Sequence, residues 1–190
     1  MTVKIAVFAS GSGSNFQAFV DAVKAGRLDA ELSLLVCDRP GARVTRRAEE
    51  NGIPVFSFSS KDYESKMHFE REILSELEQR NVDWIVLAGY MRLIGVTLLS
   101  RHEGRIVNIH PSLLPAFPGK DAIGQALSAG VKVSGVTVHY VDEGMDTGKI
   151  IAQEAVPVLE DDNHERLQQR IHGVEHELYP RVMQELIEKG

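Results

Sequence analysis

Short apolar runs alternate with longer amphipathic stretches along the chain, and this pattern predicts strands separated by helices. Val3–Ala9, Glu31–Cys37, Val55–Phe58, Trp84–Leu87 and the run opening at Ile106 have the length and composition of strands. Between them, Phe16, Phe19, Val20 and Val23 recur at helical spacing up to about Gly26, and Ala42 to Asn51 forms a second helix closed by Gly52. A longer helix is expected from Asp62 to Arg80, with Met67, Leu74 and Leu77 on one stripe, and a short one from Val96 to Arg101. Strands and helices alternating at this spacing predict an α/β fold with a doubly wound, mostly parallel sheet.

The pattern changes after residue 119. A short helix covers about Ile123 to Ala129. Val133–Val141 then alternates, with Val136, Val138 and Tyr140 opposite Thr137 and His139, as in a half-exposed strand. A polar loop, Asp142 to Gly148, leads to a returning strand from Ile150 to Val156, so these two strands are expected as antiparallel neighbours at the sheet edge. From His164 onward Leu167, Ile171, Val174, Leu178, Val182 and Leu186 trace one long C-terminal helix, with Pro180 expected to kink it.

Three loops at strand ends carry polar residues that the core does not need. In Arg105–Gly119, Asn108 and His110 interrupt an apolar strand two residues apart, so both project to one side, and Pro111 ends the strand. Gly11-Ser12-Gly13-Ser14-Asn15 joins the first strand to the first helix. It presents backbone N–H groups and a positive helix end, suited to phosphate, or it is simply a tight turn. Ala88-Gly89-Tyr90-Met91-Arg92 leaves the fourth strand. Gly11-x-Gly13-x-x-Phe16 also matches part of a dinucleotide fingerprint, with Asp38 and Arg39 placed to meet a ribose and its phosphate. Its third glycine is missing, and Asp38-Arg39-Pro40-Gly41 reads equally as a turn. His172-Gly173-Val174-Glu175-His176 fits a zinc-helix motif, but a catalytic zinc needs a third protein ligand, which that helix does not supply.

At 190 residues and 43% hydrophobic, the chain is expected to be one domain, 1–190. The net charge of −6 speaks against nucleic acid as partner. The single cysteine, Cys37, fits a reducing cytoplasm, and no apolar run reaches the length of a signal-peptide core or a membrane span.

Asn108-Ile109-His110-Pro111-Ser112-Leu113-Leu114-Pro115 resembles the signature of the folate-dependent formyltransferases, and the likeness extends over nearly the entire chain. The resemblance implies a Rossmann-like formyltransferase fold, with about 1–100 as the ribonucleotide-phosphate half and about 101–190 as the catalytic and folate-loop half. It implies transfer of a formyl group from 10-formyltetrahydrofolate, as co-substrate, to the amine of 5'-phosphoribosylglycinamide in purine biosynthesis. Asn108, His110 and Asp146 match the family's catalytic trio. Gly13, Ser14, Asn15 and Glu175 match its ribonucleotide site, and Lys66, Met91, Arg92, Leu93, Ile94 and Asn108 its folate site. No metal is expected, and the partners are small molecules, with the chain a monomer or homodimer. One departure is Lys149, where the family pattern leads one to expect proline after Gly148.

Transfer requires donors for a tetrahedral oxyanion and a route for a proton. Asn108 suits the first task, and His110 can share both. Two relatives are weighed within the family. A tRNA-directed member would add a C-terminal domain and a more basic charge, and a hydrolase of formyltetrahydrofolate would add an N-terminal domain. Outside it, a nicotinamide-binding domain remains an alternative.

Overall fold

A computed structural model describes all 190 residues. Its elements run β1 (Val3–Ala9), α1 (Ser14–Lys24), β2 (Ala30–Cys37), α2 (Arg43–Glu50), β3 (Val55–Ser57), a 3₁₀ turn (Ser60–Asp62), α3 (Lys66–Gln79), β4 (Trp84–Leu87), α4 (Val96–Leu99), β5 (Ile106–His110), α5 (Ala122–Ala129), β6 (Val133–Tyr140), β7 (Ile150–Pro157) and α6 (His164–Glu188). One seven-stranded sheet has the order β3-β2-β1-β4-β5-β6-β7. β1 to β5 pair in parallel, whereas β5–β6 and β6–β7 are antiparallel. The strand order reverses between β1 and β4, so the crevice at their carboxyl ends is where such sheets take ligands.

The odd residues of β1, Ile5, Val7 and Ala9, join α1, α2 and α6 in the larger core, whereas Ala6 and Phe8 face α3 and α4 in the smaller one. Each parallel strand is therefore apolar on both faces, which is why β1 and β4 read as apolar runs. α6 is fixed across the larger core by the buried Tyr179, whose hydroxyl lies 2.9 Å from the Leu87 carbonyl and 3.1 Å from that of Val107. It continues through Pro180 to Glu188. No helix is long and apolar enough to cross a membrane.

Two expectations are corrected. The helix expected from Asp62 begins at Lys66. Asp62 closes a 3₁₀ turn and Tyr63 is extended, packing edge-on against Phe58 and Phe69. Tyr63 and Ser65 both have extended backbones, so the chain leaves helical register here while the half-buried Tyr63 ring packs on the two phenylalanines. The strand expected to be half-exposed, β6, is buried on both faces from Ser134 to His139, and β7 takes the exposed edge. Thr137 and His139 tolerate burial because hydrogen bonds satisfy both.

Candidate active site

Phe8, Leu87 and Asn108 stand in register on β1, β4 and β5, so the three marked loops leave the sheet side by side. The first carries the glycine turn. Gly13 caps α1 with φ 76°, and a Cβ there would stand 2.5 Å from Val44 Cγ2. Conformation and space therefore both require glycine. Asn15, on the first turn of α1, donates to Glu175 Oε2 at 3.1 Å, joining residues 160 positions apart. Glu175 lies one helical turn before Tyr179 and is 4% exposed. Burial pushes its carboxyl up to about 7, against the hydrogen bond from Asn15. His172 Nε2 lies 3.9 Å from the same carboxylate.

In the second loop Met91 and Leu93 are exposed. With Lys66, Tyr63, Phe69 and Arg92 they line an open cleft of about 500 Å³. The Arg92 guanidinium is already engaged: Nε donates to Asp38 Oδ2 at 2.7 Å and a terminal nitrogen to Ser60 Oγ at 2.7 Å, above the Phe69 ring. Ile94 turns its side chain into the smaller core. The structure thus gathers Lys66, Met91, Arg92 and Leu93 at one cleft and leaves Ile94 only its backbone to offer. Asp38, considered above as a ribose ligand, has one carboxylate oxygen on Arg92 and the other accepting from Ser10 Oγ. The nicotinamide alternative loses that ligand.

The third group is built on a strand pair. Asn108 lies opposite His139 and His110 opposite Thr137. His139 Nδ1 is 2.8 Å from the Tyr140 carbonyl, which can only accept, so Nδ1 carries the hydrogen. Burial holds the ring below the usual histidine range, in its neutral form. Its Nε2 therefore accepts from Asn108 Nδ2 at 3.3 Å. By the same logic His110 Nε2 donates to the Phe117 carbonyl at 2.8 Å, and its Nδ1 faces Asp146 Oδ2 at 3.5 Å. Asp146 accepts from the Gly119 amide at 2.8 Å and lies 3.8 Å from His139. Phe117 and Asp146 both have left-handed backbones, φ 52° and 57°, strain of the kind that functional loops retain. Thr137 Oγ1 donates to the Ser112 carbonyl and accepts from the Leu114 amide, holding the loop after β5.

Asn108, His110 and Asp146 thus come together as expected, and His139 joins them unforeseen. Its signal was present in the alternation of β6, since a buried polar residue opposite Asn108 needs a partner. It became readable only once the β5–β6 register was known.

This parallel sheet with a polar trio at its carboxyl end belongs to the formyl transferase family, whose model matches residues 3–183. Phosphoribosylglycinamide formyltransferase of Bacillus subtilis (strain 168) is 59% identical over 184 residues, covering 97% of this chain and 94% of that protein. The crystal structure of glycinamide ribonucleotide transformylase 1 from Geobacillus kaustophilus superimposes with a TM-score of 0.96 at 66% identity, covering 98% of this chain and 99% of that one. A trifunctional purine biosynthetic protein of Drosophila melanogaster is 46% identical over 186 residues, 97% of this chain but 14% of that protein.

Proposed function

We propose that the chain transfers the formyl group of 10-formyltetrahydrofolate to the amine of 5'-phosphoribosylglycinamide, giving formylglycinamide ribonucleotide and tetrahydrofolate in purine biosynthesis. It acts on small molecules in the cytoplasm, as a monomer or homodimer. The observation that carries this reading is the cluster of the buried His110 and His139 with the half-buried Asn108 and Asp146, set beside a phosphate-type turn in a member of this family.

The ribonucleotide phosphate sits on the amides of Gly13, Ser14 and Asn15, where the α1 dipole favours an anion. Glu175 receives the ribose hydroxyls. The folate rings occupy the cleft of Lys66, Met91 and Leu93. The amine attacks the formyl carbon, and the carbonyl oxygen becomes an oxyanion. One Asn108 Nδ2 hydrogen is held by His139 and the other is directed to that oxygen. His110, with Asp146 opposite Nδ1, supplies positive charge beside the oxyanion when both ring nitrogens are protonated. The C–N bond to the folate then breaks, and the proton lost by the amine passes to the folate nitrogen, leaving the site as it began.

The test is spectrophotometric release of tetrahydrofolate from 10-formyltetrahydrofolate, with and without the ribonucleotide. Release only in its presence is expected. Release without it would reassign the chain as a hydrolase, and no release would overturn the reading.

A further inference from the structure

We propose that Asp38 is a positioning residue for the folate, acting through Ser10 and Arg92 on the loop that follows β4. The inference rests on the functional reading above and adds a residue that does not touch the substrates.

Asp38 directly follows β2, the strand beside β1, is 5% exposed and has both carboxylate oxygens occupied. Ser10 Oγ donates to one oxygen and itself accepts from the Met91 amide at 2.9 Å, while the Ser10 amide donates to the Gly89 carbonyl at 3.1 Å. Arg92 Nε donates to the other oxygen, and its far end reaches Ser60 Oγ and the face of Phe69. At the loop's other end the Gly95 amide donates to the buried Glu70 carboxylate at 2.7 Å. The loop is thus pinned at Gly89, Met91, Arg92 and Gly95 by partners on α3 and on the segments that follow β1, β2 and β3. Between the pins, the Arg92 and Leu93 amides make no hydrogen bond within the chain. Both residues line the cleft, and the pins on either side hold that stretch of backbone in place.

Arg92 acts as a strut in this arrangement. Charge-assisted hydrogen bonds to a buried carboxylate are short and strong, and loss of the carboxylate charge releases the guanidinium. Neutralising Asp38 therefore loosens the 89–93 segment without removing any group that touches folate. The glycine turn depends less on it, because the Val44 amide donates to Gly11 and Arg47 Nε to the Ser12 carbonyl. A preorganised loop binds with less ordering cost, so its loosening is felt as folate affinity.

Asp38→Asn tests this, since it keeps an acceptor for Ser10 and the same volume. Steady-state kinetics are run for each substrate, with calorimetric titration of tetrahydrofolate and thermal melting alongside. The expected result is a rise of about tenfold in both folate KM and tetrahydrofolate Kd. Ribonucleotide KM should stay within about twofold and kcat within about threefold. Asp38→Glu, which keeps a carboxylate for Ser10 and Arg92, should lose clearly less folate affinity than Asp38→Asn. Unchanged folate affinity in Asp38→Asn overturns the proposal, as does an equal rise in both KM values with a lowered Tm, the mark of a merely structural residue. A wild-type chain that binds no tetrahydrofolate overturns the functional reading and this inference with it.

Discussion

The two sides of the sheet build their sites from different materials. On the β1–β4 side, the proposed ligand contacts are backbone amides at turns and loop edges, while Ser10, Asp38 and Arg92 are hydrogen-bonded to one another and to the Met91 amide, and Val44 fills the space a Cβ at Gly13 would need. On the β5–β6 side, the proposed reactive groups are side chains on a strand, Asn108 and His110, which lie opposite His139 and Thr137. Parallel strands that are apolar on both faces leave ligand chemistry only at their ends. The antiparallel pair instead carries polar groups on one face, buried beneath the loops that follow β5 and β6. The comparison teaches a division of labour: the parallel side should govern affinity, and the antiparallel side rate.

Breaking the antiparallel side should have the largest effect. His110→Ala or Asp146→Asn is expected to lower kcat by about 10² to 10⁴, with the KM of each substrate within about threefold. Steady-state kinetics decide, and a change confined to KM would erase the contrast.

The next effect is on stability. Glu175 has a folded pKa of about 7 against an ordinary 4.5, so between those values the native state binds more protons than the unfolded one. Stability conferred by the protonated carboxyl is full at pH 4.5 and below, falls as pH rises to about 7, and is flat above. The span corresponds to at most about 3 kcal/mol. Urea unfolding of the wild type and Glu175→Gln at pH 5 and pH 8 should show this loss in the difference between them, since burial holds His102, His139, His172 and His176 low and their contribution rises with pH in both chains. Glu175→Gln should also weaken ribonucleotide binding.

Gly13→Ala forces a Cβ toward Val44 in a left-handed backbone. It should cost about 1–3 kcal/mol of stability by denaturant titration and raise ribonucleotide KM by about tenfold, leaving folate KM unchanged. The smallest effect sharpens the other side. His139→Ala removes the acceptor that orients Asn108 and should lower kcat by about tenfold, and His139→Gln, which can still accept, by less.

Legibility in the sequence follows the same division. The glycine turn, the strand carrying Asn108 and His110, and the doubly wound order were readable because each rests on a local pattern of a few residues. Asp146 is legible only through the resemblance, since a polar loop carries no periodicity that would place its carboxylate against His110. The burial of His139 is not legible, because alternation along a strand cannot tell solvent from a covering loop. The start of α3 is not legible either, because Tyr63 packs against Phe58 and Phe69, contacts that propensity does not contain. The role of Arg92 was hidden for a like reason, its partners Asp38 and Ser60 lying 54 and 32 positions away.

The division of labour is tested most directly by the single-turnover rate of formyl transfer in Asp146→Asn with both substrates saturating, read beside the Kd of tetrahydrofolate. The account predicts a rate at least about a hundredfold below wild type with the Kd within about threefold. A rate close to wild type, with the loss appearing in the Kd instead, would contradict it.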